Sequence, residues 1–297
     1  MSRLLHLGNA VVDVVLTVPR WPEPGGDVLA TDTRLAAGGG FNVMAAAARQ
    51  GLPVAYGGAH GTGRFGDLVR AAMRAEGIEI LQEPLQGADT GFVVTGVDAS
   101  GERTFLTSPG AEALLARVPA PRPDDIVYVS GYGLAHPVNR PVLLDSLAGT
   151  GNLVIADPGP LQLPSEVRAA VRARADWWSC NAREAALATG RADPWAATEA
   201  LSERGRSVLV RTGSEGCLVS VNGAAPVHVP GFAVEAVDTN GAGDAHTGVF
   251  IAALARGEDP LTAARTANAA AALAVTARGP ATAPTAAELS RFLSHSG

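Results

Sequence analysis

Apolar and polar positions change rhythm along the chain, and the changes mark its elements. Residues 3–18 are apolar runs broken by Gly8-Asn9 and Asp13, which predicts a strand, a turn and a second strand. Phe41 to Gln50 is alanine-rich and predicts a helix. Pro53 to Gly58 has the pattern of a strand and Gly66 to Glu76 that of a helix. Phe92–Val97 and Arg103–Thr107 flank Asp98-Ala99-Ser100-Gly101-Glu102, a hairpin signal. Ile126–Ser130 and Leu153–Ala156 are short continuous apolar runs of the kind found in buried parallel strands, with a helix expected between them over Pro141–Leu147. Ser207–Val210, Cys217–Val221 and Val227–Val229 predict three further strands. Helices follow at about 242–256 and 261–276. A last one over Thr285–Leu293 opens on a threonine cap with Glu288 at its third position.

Strand and helix alternate over most of the length, which predicts an α/β fold with a mainly parallel sheet covered on both faces. Two β-rich pieces, about 11–34 and 88–110, interrupt the alternation. Neither a repeat nor a low-complexity linker divides the chain, and Pro119-Ala120-Pro121-Arg122-Pro123 is a stiff surface connection, so residues 1–297 are expected to form one domain. Hydrophobic residues make up 47% of the chain and aromatic ones only 5%, so the core is built from Ala, Val and Leu. A net charge of −6 without any basic run speaks against nucleic-acid and acidic-membrane partners. The first apolar run is too short for a secretion signal, and no run reaches transmembrane length. Cys180 and Cys217 lack metal-site spacing and fit buried thiols in a reducing cytoplasm. All 23 basic residues are arginine. Without lysine there is neither a Walker P-loop nor Schiff-base chemistry. Any phosphoryl transfer here must rest on backbone N–H groups, arginine and Mg²⁺.

One stretch carries candidate chemistry. Val237-Asp238-Thr239-Asn240-Gly241-Ala242-Gly243-Asp244 runs into the apolar helix that starts near 242. Gly241 and Gly243 let backbone approach a ligand, and the free N–H groups of a first helical turn favour an anion. Asp244 beside such a hole would repel a bound phosphate. It makes sense as the base that takes a proton from an attacking hydroxyl; the plain alternative is a helix cap. Gly38-Gly39-Gly40 permits close approach, and Asn42 brings an amide able to donate to and accept from a sugar hydroxyl. Asp13 is a lone carboxylate on an apolar strand, where a sugar diol would supply the donors that a buried charge needs. Asn181 and Glu184 lie three apart at a helix start, as a capping pair or as oxygens ordering Mg²⁺ and its waters. A competing signal is Gly61-Thr62-Gly63-Arg64-Phe65-Gly66, a G-x-G-x-x-G with Glu79 and Glu83 downstream, which raises a dinucleotide (NAD(P)) alternative.

Residues 237–248 closely resemble the second signature of the ribokinase-like (PfkB) carbohydrate kinases, D-T-x-G-A-G-D. Gly38-Gly39-Gly40-Phe41-Asn42 is similar to the first signature, Asn181-Ala182-Arg183-Glu184 to the N-x-x-E motif, and Thr212-Gly213-Ser214-Glu215-Gly216 to the nucleotide loop. The matches come in family order and span the chain. The resemblance implies a ribokinase-like fold in which the two β-rich pieces form a small lid over the sugar site. It implies ATP and Mg²⁺, with Asp244 as general base and Gly241, Ala242 and Gly243 as anion hole. Asp13, Gly39, Gly40 and Asn42 would bind the acceptor. Asn181, Glu184, Thr212, Gly213, Gly216 and Asn268 would serve the nucleotide. Asp238, Asn240, Ala274, Ala277, Gly279 and Ala283 resemble a loop pair that holds a monovalent cation such as K⁺. A homodimer joined through the lids is expected from the open edges and apolar face of such a small sheet, and from the same resemblance. Three departures bear on the acceptor. Thr62 and Gly63 replace two acids, Val11 replaces an amide, and Gly131 or Tyr132 stands where ribose kinases carry a glutamate. The acceptor is thus a sugar or, alternatively, a nucleoside. A catalytically silent sugar-binding regulator is the rival of another class, and the intact Asp244 speaks against it. Arg103 is expected on the surface, and His246, one turn into its helix, as structural.

Overall fold

The computed structural model describes residues 2–99, 102–159, 163–202 and 206–295. Its large sheet runs, edge to edge, through β5 (Glu79–Ile80), β4 (Val54–Tyr56), β1 (Arg3–His6), β8 (Asp125–Ser130), β9 (Leu153–Asp157), β10 (Trp177–Asn181), β11 (Ser207–Arg211), β12 (Gly216–Ser220) and β13 (Val227–Pro230). The strands from β5 to β11 are parallel, and the last two pair antiparallel. The reversal follows from chain length: the Thr212–Glu215 turn is far too short for a parallel crossover.

Side chains alternate across each strand, so Leu4 belongs to one core and Leu5 to the other. The first core is closed by α1 (Gly40–Arg49), α2 (Arg64–Ala75), α8 (Ala242–Ala255), α9 (Pro260–Ala274) and α10 (Ala286–His295). The second lies under α3 (Gly131–Ala135), α4 (Asn139–Gly149), α5 (Ser165–Arg174), α6 (Ala182–Thr189) and α7 (Pro194–Ser202). Both cysteines are buried free thiols. The capping box expected at the last helix forms, Thr285 N donating to Glu288 Oε2 at 2.8 Å. No helix among the described residues is long and apolar enough to cross a membrane.

A second, four-stranded sheet has the order β3 (Asp32–Gly39), β2 (Ala10–Thr17), β6 (Phe92–Val97), β7 (Arg103–Ser108). β2, β6 and β7 fall within the two β-rich pieces of the sequence, whereas β3 runs on to Gly39, past the expected boundary near 34. The hairpin joining β6 to β7 is present, with Ser100 and Gly101 of its turn outside the described residues. Gly38 and Gly39 form the end of β3, paired with Val11 and Ala10. The strand passes directly into α1, and side chains are excluded at the junction: a Cβ on Gly38 would overlap the Asp13 carboxylate and one on Gly40 the His6 ring.

Candidate active site

The carboxyl ends of the parallel strands and the amino ends of the following helices converge on one rim, where open α/β sheets bind ligands. Asp157, Asn181 and Arg211 are the last residues of the neighbouring strands β9, β10 and β11. On the same side, α8 begins at a turn in which Gly241 adopts φ 74°, a left-handed conformation suited to glycine. No side chain caps α8. Ala242 N reaches Thr239 O only at 3.5 Å, and no described group accepts from Gly243 N or Asp244 N. The first turn of α8 therefore presents backbone N–H groups without acceptors among the described residues.

The Asp244 carboxylate lies beside it, receiving a bond from Asn42 Nδ2 at 3.0 Å. Asn42 enters from the first turn of α1, which packs on α8 where Gly248 is bare: a Cβ there would overlap Val43 O. Burial pushes Asp244 up to about 6; the Asn42 bond opposes this, the charge of Asp157 adds to it, and Arg211 opposes. Asp13, on β2, is 8% exposed, and among the described residues nothing donates to its carboxylate. Burial, then the charge of Asp244, push it up to about 7. A buried carboxylate without a partner suits an external donor. Gly38 lies against it; Gly39 is part-exposed next to Val11 and Asn9, and Gly40 is buried against His6. Tyr132 on α3 is half-exposed, and burial together with the charges of Asp244, Glu184, Asp157 and Asp13 raises its phenol to about 12. The structure thus brings Asp13, Asn42 and Asp244 together, with Tyr132 close to them.

The other half of the site is built differently from expectation in part. Asn181 and Glu184 form a reciprocal capping box, Glu184 N donating to Asn181 Oδ1 at 2.9 Å and Asn181 N to Glu184 Oε2 at 2.8 Å. Burial and the charge of Asp157 raise Glu184. The guanidinium of Arg211 balances these acids. It donates to Asp157 Oδ2 at 3.0 Å, to Ser179 Oγ at 2.6 Å and to Thr247 Oγ1 at 3.0 Å, and stands 3.9 Å from Glu184. Sequence reading missed Arg211 and Asp157, because they become neighbours only once strand order is known. Thr212 carries a buried hydroxyl without a partner, Gly213 (φ 71°) is open around its Cα, and Gly216 (φ 105°) is needed where β12 meets β13, since a Cβ would overlap Val229 O. Asn268 is turned inward, two turns into α9. Its amide donates to Val229 O and Pro230 O, and its oxygen pairs with His246 Nε2 at 3.0 Å. Asn268 and His246 thus brace α8, α9 and β13 against one another, and the Asn268 amide is spent on bonds within the protein.

Arg103 is not a free surface arginine. It binds Asp238 and, at 3.1 Å, Thr239 Oγ1. The G-x-G-x-x-G stretch does open α2, but its helix terminus is already filled. The Asp89 carboxylate accepts from Phe65 N at 3.1 Å and Gly66 N at 2.8 Å, and a Cβ on Gly63 would crowd that carboxylate. Glu79 is held by Arg3 at 2.7 Å. The donors a pyrophosphate would need there are already bonded to Asp89.

Comparison with known proteins agrees with this geometry. The pfkB family carbohydrate kinase profile matches residues 1–287. The ATP-dependent ribose-1-phosphate kinase of Halopiger xanaduensis is 32% identical, with 99% of each chain covered. Ribokinase of Haemophilus influenzae is 30% identical over 98% of each. The crystal structure of ribokinase from Thermotoga maritima superposes with a TM-score of 0.83 at 26% identity, covering 98% of this chain and 99% of that one. The protein belongs to the pfkB family of carbohydrate kinases and is an ATP-dependent phosphotransferase with the ribokinase-like fold.

Proposed function

We propose that the protein transfers the γ-phosphoryl group of ATP to a hydroxymethyl group of a sugar or sugar-like acceptor bound between the small sheet and α8, with that sheet as a lid. The observation that carries this reading is the juxtaposition at α8: an uncapped helix terminus, and beside it a buried carboxylate aligned by Asn42. Asp244 accepts the hydroxyl proton as the oxygen attacks. The N–H groups of Ala242, Gly243 and Asp244 take up charge on the transferred oxygens. Such preorganised donors cost no rearrangement during the reaction. Asp13 accepts from the acceptor's other hydroxyls, Asn42 holds the base, and the backbone at Gly39 lets the sugar ring approach.

The nucleotide lies over the rim formed by Asn181, Arg211 and the Thr212–Gly216 turn, with the unpartnered Thr212 hydroxyl available to it. Asn181, Glu184 and Asp157 are hard oxygen donors of the type Mg²⁺ takes, directly or through its waters. Bound with ATP, Mg²⁺ supplies charge neutralisation for the phosphates. Arg211 keeps the acids from repelling each other and the nucleotide.

A nucleoside acceptor has one feature in its favour. Phe105, on the cleft face of β7, and Tyr132 are both exposed aromatic rings on which a base would stack. An ADP-release screen over pentoses, hexoses, their monophosphates and nucleosides tests the proposal. Turnover with at least one sugar, and none without acceptor, is expected. ADP release that ignores every acceptor would contradict it.

A further inference from the structure

The two loops that resemble a monovalent-cation site are already held together by protein donors. Asp238 Oδ1 accepts from Arg103 and from Asn240 N at 2.8 Å, and Asp238 Oδ2 accepts from Gly279 N at 3.0 Å. Val237 N and Asp238 N both donate to Val275 O. Across the loop, Ala274 O accepts from Thr282 Oγ1 at 2.9 Å, and Ala283 O accepts from Arg49 Nη1 at 2.8 Å. A bare cation needs oxygens free to face it. Here the one carboxylate of the set, and two of its carbonyls, already face donors. The residues therefore do not fit K⁺ as the group that ties these loops.

We propose that the guanidinium of Arg103 takes the place of the monovalent cation. Arg103 ends the row Asp32–Thr17–Val97–Arg103 on the cleft face of the small sheet. From there it crosses a cavity of about 350 Å³, lined by both the sheet and the 236–240 and 278–280 loops, to clamp Asp238 and Thr239. Those residues lead into Gly241, so their placement sets the N–H groups of the anion hole. A guanidinium is always charged and cannot leave the chain, unlike K⁺. It also makes the hole depend on the sheet: the clamp exists only while β7 stays over the cleft. Arg103 acts through Asp238 and is a positioning residue. The inference rests on the kinase reading for its effect on turnover, but not for its effect on cation binding.

The test compares the wild type with Arg103→Met, which keeps length and removes charge. Turnover and melting temperature are measured with increasing KCl, tetramethylammonium chloride holding ionic strength constant. The wild type is expected to show flat turnover and a melting temperature indifferent to K⁺. Arg103→Met is expected to lose roughly ten- to a hundredfold in kcat, the scale of a charge-assisted contact. Added K⁺ or guanidinium should restore part of it, and K⁺ should raise its melting temperature. Strong activation or thermal stabilisation of the wild type by K⁺ would overturn the proposal, even if the variant failed to fold. So would a variant that neither cation rescues, or one as active as the wild type without any added cation. If no acceptor were phosphorylated at all, the kinase reading would fail while the melting comparison still decided the cation question.

Discussion

Asp13 and Asp244 are both kept where the neutral form is favoured, Asp13 near 7 and Asp244 near 6. Between the ordinary aspartate value and those values the native state binds protons that the unfolded chain has lost. Stability therefore falls as pH rises through that window, and the penalty is complete above about pH 7. Asp13→Asn should relieve it. Its melting temperature is expected to exceed the wild type's at pH 8 and to match it at pH 4, while calorimetric affinity for the acceptor collapses and ATP affinity stays. A lower melting temperature at pH 8 would mean that Asp13 has a stabilising partner in the free protein. Asp244 was legible in the sequence because glycine spacing, helix start and carboxylate sit within a few residues of each other. Asp13 was legible as one acid in an apolar strand. Arg211 and Asp157 were not, because they lie 54 positions apart and each ends an ordinary apolar run. The fate of Arg103 was hidden likewise, since its partners come 135 and 136 positions later.

Two helices, α1 and α8, fix the distance between the acceptor side and the base. Their contact runs through Gly248, where any side chain meets Val43 O, Ala46 and Ala47. Gly248→Leu should push them apart. Overpacking of this kind typically costs about 1–3 kcal/mol, and it should lengthen the Asn42–Asp244 bond as well. Both a lower denaturant midpoint and a lower kcat are expected; a variant that keeps wild-type values for both would show that the helices can slide without consequence. The periodicity gave α8, α9 and the parallel strands β8 and β9 nearly to the residue, because their apolar runs are sharply bounded. It did not give β10, whose five residues include Ser179 and Asn181 and whose burial depends on neighbours β9 and β11. Nor does periodicity account for Gly38, whose missing side chain leaves room for the Asp13 carboxylate.

The small sheet presents two different faces. Asp13, Val15 and Thr17 look into the cleft, and the opposite face carries the row Leu35–Val14–Val94–Leu106. Leu35 is 47% and Leu106 61% exposed, and β3 and β7 are open edges. A four-stranded sheet with an apolar outer face and free edges invites pairing. We expect a homodimer in which two such faces meet, each lid closing its own cleft. Light scattering at micromolar concentration should give twice the chain mass for the wild type and the chain mass for Leu106→Asp. A monomeric wild type would contradict this. The central claim concerns where the phosphoryl group goes and which residue lets it go there. A single-turnover experiment with γ-labelled ATP and the best acceptor from the screen, run with the wild type and with Asp244→Asn, addresses both at once. The account predicts that label moves to the acceptor's hydroxymethyl oxygen, and that Asp244→Asn folds and binds acceptor but slows transfer by roughly 10²–10⁴-fold, the usual worth of a positioned base. Transfer at the wild-type rate in Asp244→Asn, or label appearing only as inorganic phosphate in the wild type, would contradict it.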